Sequence, residues 1–250
     1  MKNHHDQSEL LMTALQLAQK PVAMAFCDEV PSGVASWDGV APAGCSFWQE
    51  GAARTFATSV QDHQLCAIGI HTHHMSPVSP GYEADLQETL QAMSGLDYVR
   101  TEEVAAIPVV KQAVKHVVYG PLENFPAEPA VVLLFAHARQ GLVLSEALTR
   151  VDDGIPLAMG RPACAVVPQV LNSGNAAMSL GCCGARAYLD TLPDSAAMWA
   201  LPGDKLSQYC EQIKIFARAN ESLKAFHDRR RSDVASGDRP TVLQSLQRIS

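Results

Sequence analysis

Two stretches of this chain repeat one plan, and that repetition limits what it can fold into more than any other feature. "CSFWQEGAARTFATSVQDHQLCAIG" (45–69) and "CAVVPQVLNSGNAAMSLGCCG" (164–184) each open on a cysteine, run through a helix-like segment and close on cysteine and glycine. The cysteine spacings are comparable, 21 positions from Cys45 to Cys66 and 18 from Cys164 to Cys182. Upstream of each lie a proline, a short apolar run and a phenylalanine, in "KPVAMAFCDEVPSGV" (20–34) and "EPAVVLLFAHARQGLVL" (128–144). Chance similarity is the competing explanation. Taken as real, the pattern predicts two related units facing each other across a pseudo-twofold axis, each bringing two thiols to the join.

Periodicity fills in the units. Asp6 and Glu9 form a capping-box pattern ahead of Leu10, Leu11, Ala14, Leu15 and Ala18 at helical spacing, and Pro21 ends that helix. "PVAMAFC" (21–27), "KHVVYGPL" (115–122) and "EPAVVLLFAHA" (128–138) read as strands, the last as fully buried. Helices are expected in 46–59, 80–93, 101–107, 140–150 and 204–229, the last with Leu206, Tyr209, Ile213, Phe216 and Leu223 on its apolar face. The segment 152–160 reads as a loop with a short strand. In 162–174 helical spacing is interrupted by Pro168.

The predicted architecture is therefore α/β, with α+β as the variant: a mixed sheet flanked by helices, in two pseudo-repeated halves of one domain. The N-terminal helix occupies 1–20. The domain occupies 21–228, divided at about residue 120 into halves 21–120 and 121–228. The polar, basic stretch from 229 to 250, beginning "RRRSDVASGDRPT" at Arg229, is expected to be a mobile tail.

The bulk chemistry excludes some functions. A formal net charge of −7 argues against a nucleic-acid footprint, which needs a basic face. No apolar run approaches the roughly 20 residues of a membrane span, and the polar start "MKNHHDQSEL" has no signal-peptide core. A cytoplasmic protein is expected. In a reducing compartment seven cysteines, an odd number, lean towards metal or catalysis rather than disulfides.

Four thiolates from Cys45, Cys66, Cys164 and Cys182 would make a soft-ligand site suited to an iron–sulfur cluster, a 4Fe–4S centre above all, or to zinc. The spacing matches neither a zinc ribbon nor a ferredoxin run. Gly181 and Gly184 around Cys182, and Gly69 after Cys66, allow backbone N–H groups to approach sulfur, which favours a cluster. In "DHQLCAIGIHTHH" (62–74), Asp62 could orient His63 towards the site to tune it or shuttle protons. His71 and His73 share a face if the segment is a strand, and exposure is their expected fate, with His74 incidental. Other readings stay open: a non-covalent haem with His63 or His73 as axial ligand, zinc without turnover, a Cys66–His63 nucleophile, and plain burial of the thiols. Arg54 and Arg186 occupy corresponding places in the two halves, and either could hold an anion. Phe47, Trp48 and Phe56 read as core.

These motifs, with "PAVVLLF", "PACAVVPQV" and "SLGCCGARAY", resemble the DUF169 family of uncharacterised bacterial and archaeal proteins, from about Pro21 to about Ile213. The resemblance implies that Cys45, Cys66, Cys164 and Cys182 belong to one site, together with Gly181, Gly184 and Arg186, and that Cys27, Cys183 and Cys210 lie outside it. It brings no activity with it. The expected function is a redox or small-ligand protein that reduces a small substrate, with a redox partner protein and a homo-oligomer as possible associations.

Overall fold

A computed structural model of the chain describes residues 4–154, 158–160, 162–182 and 184–248. Its centre is the antiparallel pairing of two apolar strands, β1 (Val22–Cys27) and β4 (Val131–His137), with Val22 opposite Leu133 and Met24 opposite Val131. Side chains alternate across the sheet. Val22, Met24, Val131, Leu133 and Phe135 enter one core, while Ala23, Ala25, Val132, Leu134 and Ala136 enter the other. Both faces are covered, so these strands read as unbroken apolar runs.

Five further strands complete a seven-stranded mixed sheet: β2 (Phe56–Thr58), β3 (His116–Pro121), β5 (Ala158–Met159), β6 (Ala177–Ser179) and β7 (Ala196–Pro202). The order is β2-β3-β1-β4-β7-β6-β5. Every pairing is antiparallel except β5 with β6 at the edge. Outward from the central pair the two halves follow one scheme. The first strand of each half is central, its last strand lies beside it, and what comes between them in sequence lies beyond: β2 in the first half, β6 and β5 in the second.

Helices cover both faces. α1 (His4–Leu15), α6 (Ala138–Val151) and α8 (Leu206–Ala235) pack through Leu11, Leu15, Leu144, Leu148, Tyr209 and Ile213 on one side. α2 (Ser46–Ala53), α3 (Ala67–His73) and α7 (Val166–Ser173) pack on the other through Phe47, Trp48, Ile70, Val166 and Val170. Phe47, Trp48 and Phe56 are core, each at most 1% exposed. Two outlying helices, α4 (Tyr82–Gly95) and α5 (Thr101–Val104), stand above α3, and α9 (Val242–Gln247) follows α8.

Four expectations change. The helix expected over 46–59 stops at Ala53; Arg54 is extended, and Phe56–Thr58 pairs with β3. Pro168 does not interrupt α7, because it is the third residue of the helix, where a missing N–H costs no intrahelical bond. The segment 67–73 is helix rather than strand, which separates His71 from His73. In place of a mobile tail from 229, α8 continues to Ala235 and α9 folds back on it. Arg248 and Arg229 both pair with Asp233, which is 5% exposed. The loop reading at 155–157 and the placing of Cys183 lie outside the described residues.

Candidate functional site

The two halves deliver their cysteines in the same way. Cys45 stands immediately before α2, and Cys66 immediately before α3. Cys164 lies in the helical turn Ala163–Ala165 that runs into α7, and Cys182 precedes the wide helical turn Gly184–Tyr188. All four are half-buried and line one cavity of about 420 Å³. Helix starts present unpaired N–H groups and the positive end of the backbone dipole, an arrangement that favours thiolate over thiol.

The hydrogen bonding matches that field. The Cys66 sulfur accepts from the backbone N–H groups of Gly44 and Gly69, which oppose the upward push of burial on its thiol. Cys182 accepts from Ala163, Gly184 and Ala185 and from the S–H of Cys45. Its pKa is held well below that of a free thiol, while Cys45, the donor, is driven far up. Burial and the charge of Cys66 push Cys164 up to about 12, partly opposed by the Thr72 hydroxyl and its own N–H. Cys182 is thus the most readily ionised of the four, held there by the Cys45 S–H and three backbone N–H groups.

His63 is 1% exposed, with its ring 4.7 Å from that of Phe47. Its Nε2 lies 3.1 Å from Thr58 Oγ1, whose single proton goes to Val117 O at 3.1 Å. The hydroxyl must therefore accept from His63, which places the imidazole proton on Nε2 and leaves Nδ1 a bare lone pair. Nδ1 has no partner and sits on the cysteine side, since a Cβ on Gly69 would lie 3.6 Å from it and 3.0 Å from Cys66 Sγ. Burial keeps the ring neutral. Asp62 does not orient it; the Asp62 carboxylate accepts from Ser59 N and Oγ and caps the local turn.

The trailing histidines divide. His73 is 1% exposed, against the expectation of exposure. It packs edge-on to His63 and Phe26, has neither nitrogen partnered among the described residues, and is pushed down to about 4 by burial. His71 is half-buried and His74 is exposed, its Nδ1–H donated to Val110 O at 2.8 Å. Helical spacing in "CAIGIHTH" carries the missing signal, because Cys66, Gly69, Ile70 and His73 share a face at 3.6 residues per turn. Thr72 and Gly44 also escaped sequence reasoning, although a glycine directly before Cys45 is visible in "AGCS".

The arginines do other work. The Arg186 guanidinium donates to Leu180 O, to Pro193 O at 2.8 Å and to Ala196 O at 2.6 Å. It straps together the loop that carries Cys182 and is occupied rather than free for an anion. Gly181 makes room for it: its φ is +99°, and a Cβ there would lie 3.0 Å from Arg186 Nε and 2.8 Å from Leu192 Cδ2. Its N–H goes to Ser179 Oγ, so Gly184 approaches the Cys182 sulfur and Gly181 supports the strap. Arg54 lies outside the cavity, paired with Asp38 at 3.0 Å and stacked on Trp37. Cys210 is buried in the opposite core and Cys27 ends β1; neither lines the cavity.

The family model DUF169, described as "Uncharacterised ArCR", matches residues 10–212. The chain belongs to the DUF169 family. No curated protein and no solved structure matches it. The span matched contains all four cavity cysteines of this DUF169 protein and ends within the first turns of α8, so α9 lies beyond it. No helix among the described residues is long and apolar enough to cross a membrane. Among them, too, no three His, Cys, Asp or Glu side chains stand as a group that could hold one metal ion.

Gly69 separates site from fold. Gly69→Ala should leave the melting temperature within a few degrees, because alanine is the better helix former by about 1 kcal/mol. It should nonetheless displace the Cys66 sulfur, since 3.0 Å is too short for a carbon–sulfur contact. Thiol labelling of Cys66, followed by mass spectrometry beside a thermal melt, reads both effects. An unchanged labelling rate would refute the cradle.

Proposed function

We propose that Cys45, Cys66, Cys164 and Cys182 hold an iron–sulfur cluster in a redox protein of the DUF169 family. The observation that carries this reading is the convergence of four helix-start cysteines on one cavity, with backbone N–H groups directed at the sulfurs of Cys66, Cys164 and Cys182. Such contacts offset the negative charge of a sulfur-rich centre and raise its potential. A single tetrahedral zinc ion needs its four sulfurs drawn together at about 2.3 Å from the metal. The lack of a one-ion grouping among the described side chains disfavours zinc, whereas a polynuclear centre accepts ligands set wider apart. Haem fits poorly. The free nitrogens of His63 and His73 are fully enclosed, both residues being 1% exposed with their rings packed on each other and on Phe47 and Phe26.

The cluster would supply one-electron transfer. The chain's own part is to present the thiolates, to shield them with N–H donors, and to keep the Nδ1 lone pair of His63 beside Cys66, where it can accept a proton. A reductive step on a small substrate, with electrons from a partner protein, follows from that assignment.

Anaerobic purification with iron and acid-labile sulfide analysis is the test. The expected protein is brown, absorbs broadly near 400 nm and bleaches with dithionite. Cys182→Ala should lose most of its iron and sulfide while its far-ultraviolet circular dichroism stays unchanged. Full metal content in that variant would remove Cys182 from the ligand set, and a colourless wild type with one zinc would end the proposal.

A further inference from the structure

We propose that the cavity above the four cysteines binds a neutral, predominantly apolar organic molecule beneath a lid formed by α4 and α5. The inference rests on reading the cysteine-lined cavity as the reactive site, and adds the class of substrate that reaches it. The cavity measures about 420 Å³ and its floor is sulfur, so the space left above a cluster seated on that floor suits a small organic molecule. Its walls are apolar: Leu65 and Ile68 from the chain around Cys66, with Leu90, Met93, Val99 and Ile107 from the lid.

The lid itself explains why a guest is expected. α4 carries an amphipathic stripe through Leu86, Leu90 and Met93, yet none of the described residues of α4 or α5 is fully buried. A helix of this kind ordinarily completes the burial of its stripe against protein. Here Leu90 and Met93 look onto the cavity, and Leu65 beside Cys66 is 59% exposed at its wall. A molecule in the cavity would cover all three. With no fully buried residue, α4 and α5 form a segment that can open for entry.

Charge selects the guest. No lysine, arginine or histidine among the described residues lines the cavity, so an anion would enter beside sulfurs and a carboxylate with nothing to pair it. The carboxylate, Glu103, already accepts from Arg100 Nη2 at 3.1 Å and Arg100 N at 2.9 Å. The Thr89 hydroxyl is donated to Asp85 O. The walls reward removal of apolar surface from water and little else.

The full-length protein as isolated would be titrated with neutral 2-naphthol, anionic 2-naphthoate and cationic 2-naphthylmethylammonium, following probe fluorescence. The neutral probe should bind roughly tenfold more tightly than either ion, and Leu90→Glu should weaken it by about tenfold, with Leu90→Met close to wild type. Equal or better binding of an ionic probe, no binding of the neutral one, or indifference to Leu90→Glu would each overturn the proposal. If Leu90→Glu misfolds by circular dichroism, Leu90→Met and the ranking of the three probes still decide it. Iron and sulfide measured on the same samples keep the two readings apart. A protein without a cluster that holds 2-naphthol refutes the redox assignment alone, and a clustered protein that ignores it refutes the substrate class alone.

Discussion

Replacing Arg186 by leucine should lower stability by about 2–3 kcal/mol and release the cavity's fourth cysteine from its place. The guanidinium is the common partner of three carbonyls, those of Leu180, Pro193 and Ala196, which come from both ends of the Cys182 loop. Leucine keeps much of the bulk but supplies no donor, so all three lose a charge-assisted bond together. Arg186→Lys should recover little, because an ammonium cannot reach three carbonyls in the planar fork that a guanidinium provides. A urea titration beside thiol labelling of Cys182 distinguishes a strap from an anion site. The strap predicts loss of stability together with faster labelling of Cys182, whereas an anion-binding arginine predicts a stable protein with unchanged labelling that changes only its response to charged ligands.

The second large effect lies on the other side of the sheet. Asp152→Ala should cost about 3 kcal/mol and lower the melting temperature by roughly 10 °C. Asp152 is 4% exposed. Its Oδ1 accepts from Tyr209 Oη at 2.9 Å and Lys205 Nζ at 3.0 Å, and its Oδ2 from Ala176 N at 2.9 Å. One carboxylate thus ties the end of α6 to the start of α8 and to the residue before β6. Burial, and then the adjacent carboxylate, push the Tyr209 phenol well above its usual range. Asp152→Asn should cost nearly as much, since its amide NH₂ would face a donor at one end. The cavity lies on the opposite face, so thiol labelling of the four cavity cysteines in folded Asp152→Ala should proceed as in wild type. A thermal melt within two or three degrees of wild type would show that the network contributes little.

Three central strands of the sheet were legible because they are buried on both faces, whereas β2, β6 and β7 were not. Residues 21–27, 115–122 and 128–138 are apolar, short and bounded by proline or glycine, and they form β1, β3 and β4. The long helix from 204 was legible from its first turns, where Leu206, Tyr209 and Ile213 pack on the sheet. Its continuation was not, because Asp233 is buried by ion pairs with Arg229 and Arg248, and charged residues at such positions read locally as solvated. The segment 67–73 misled for a related reason. Seven residues can satisfy either period, and only its docking beside Cys164 and α7 makes it a helix that buries His73.

By itself the sequence determined that four of its cysteines come as two matched pairs, because a cysteine, a helix-like run and a closing cysteine and glycine recur at comparable spacing. The tertiary structure decided how those residues are used. It assigned Arg186 to backbone carbonyls, set Gly44 and Gly69 against one sulfur, left His63 with a bare nitrogen beside it, and brought Leu90 and Met93 of α4 onto the cavity that all four thiols line. Those assignments depend on distances between segments as far apart as 45 and 182, and a linear order of residues carries no such distances until the central strands have paired.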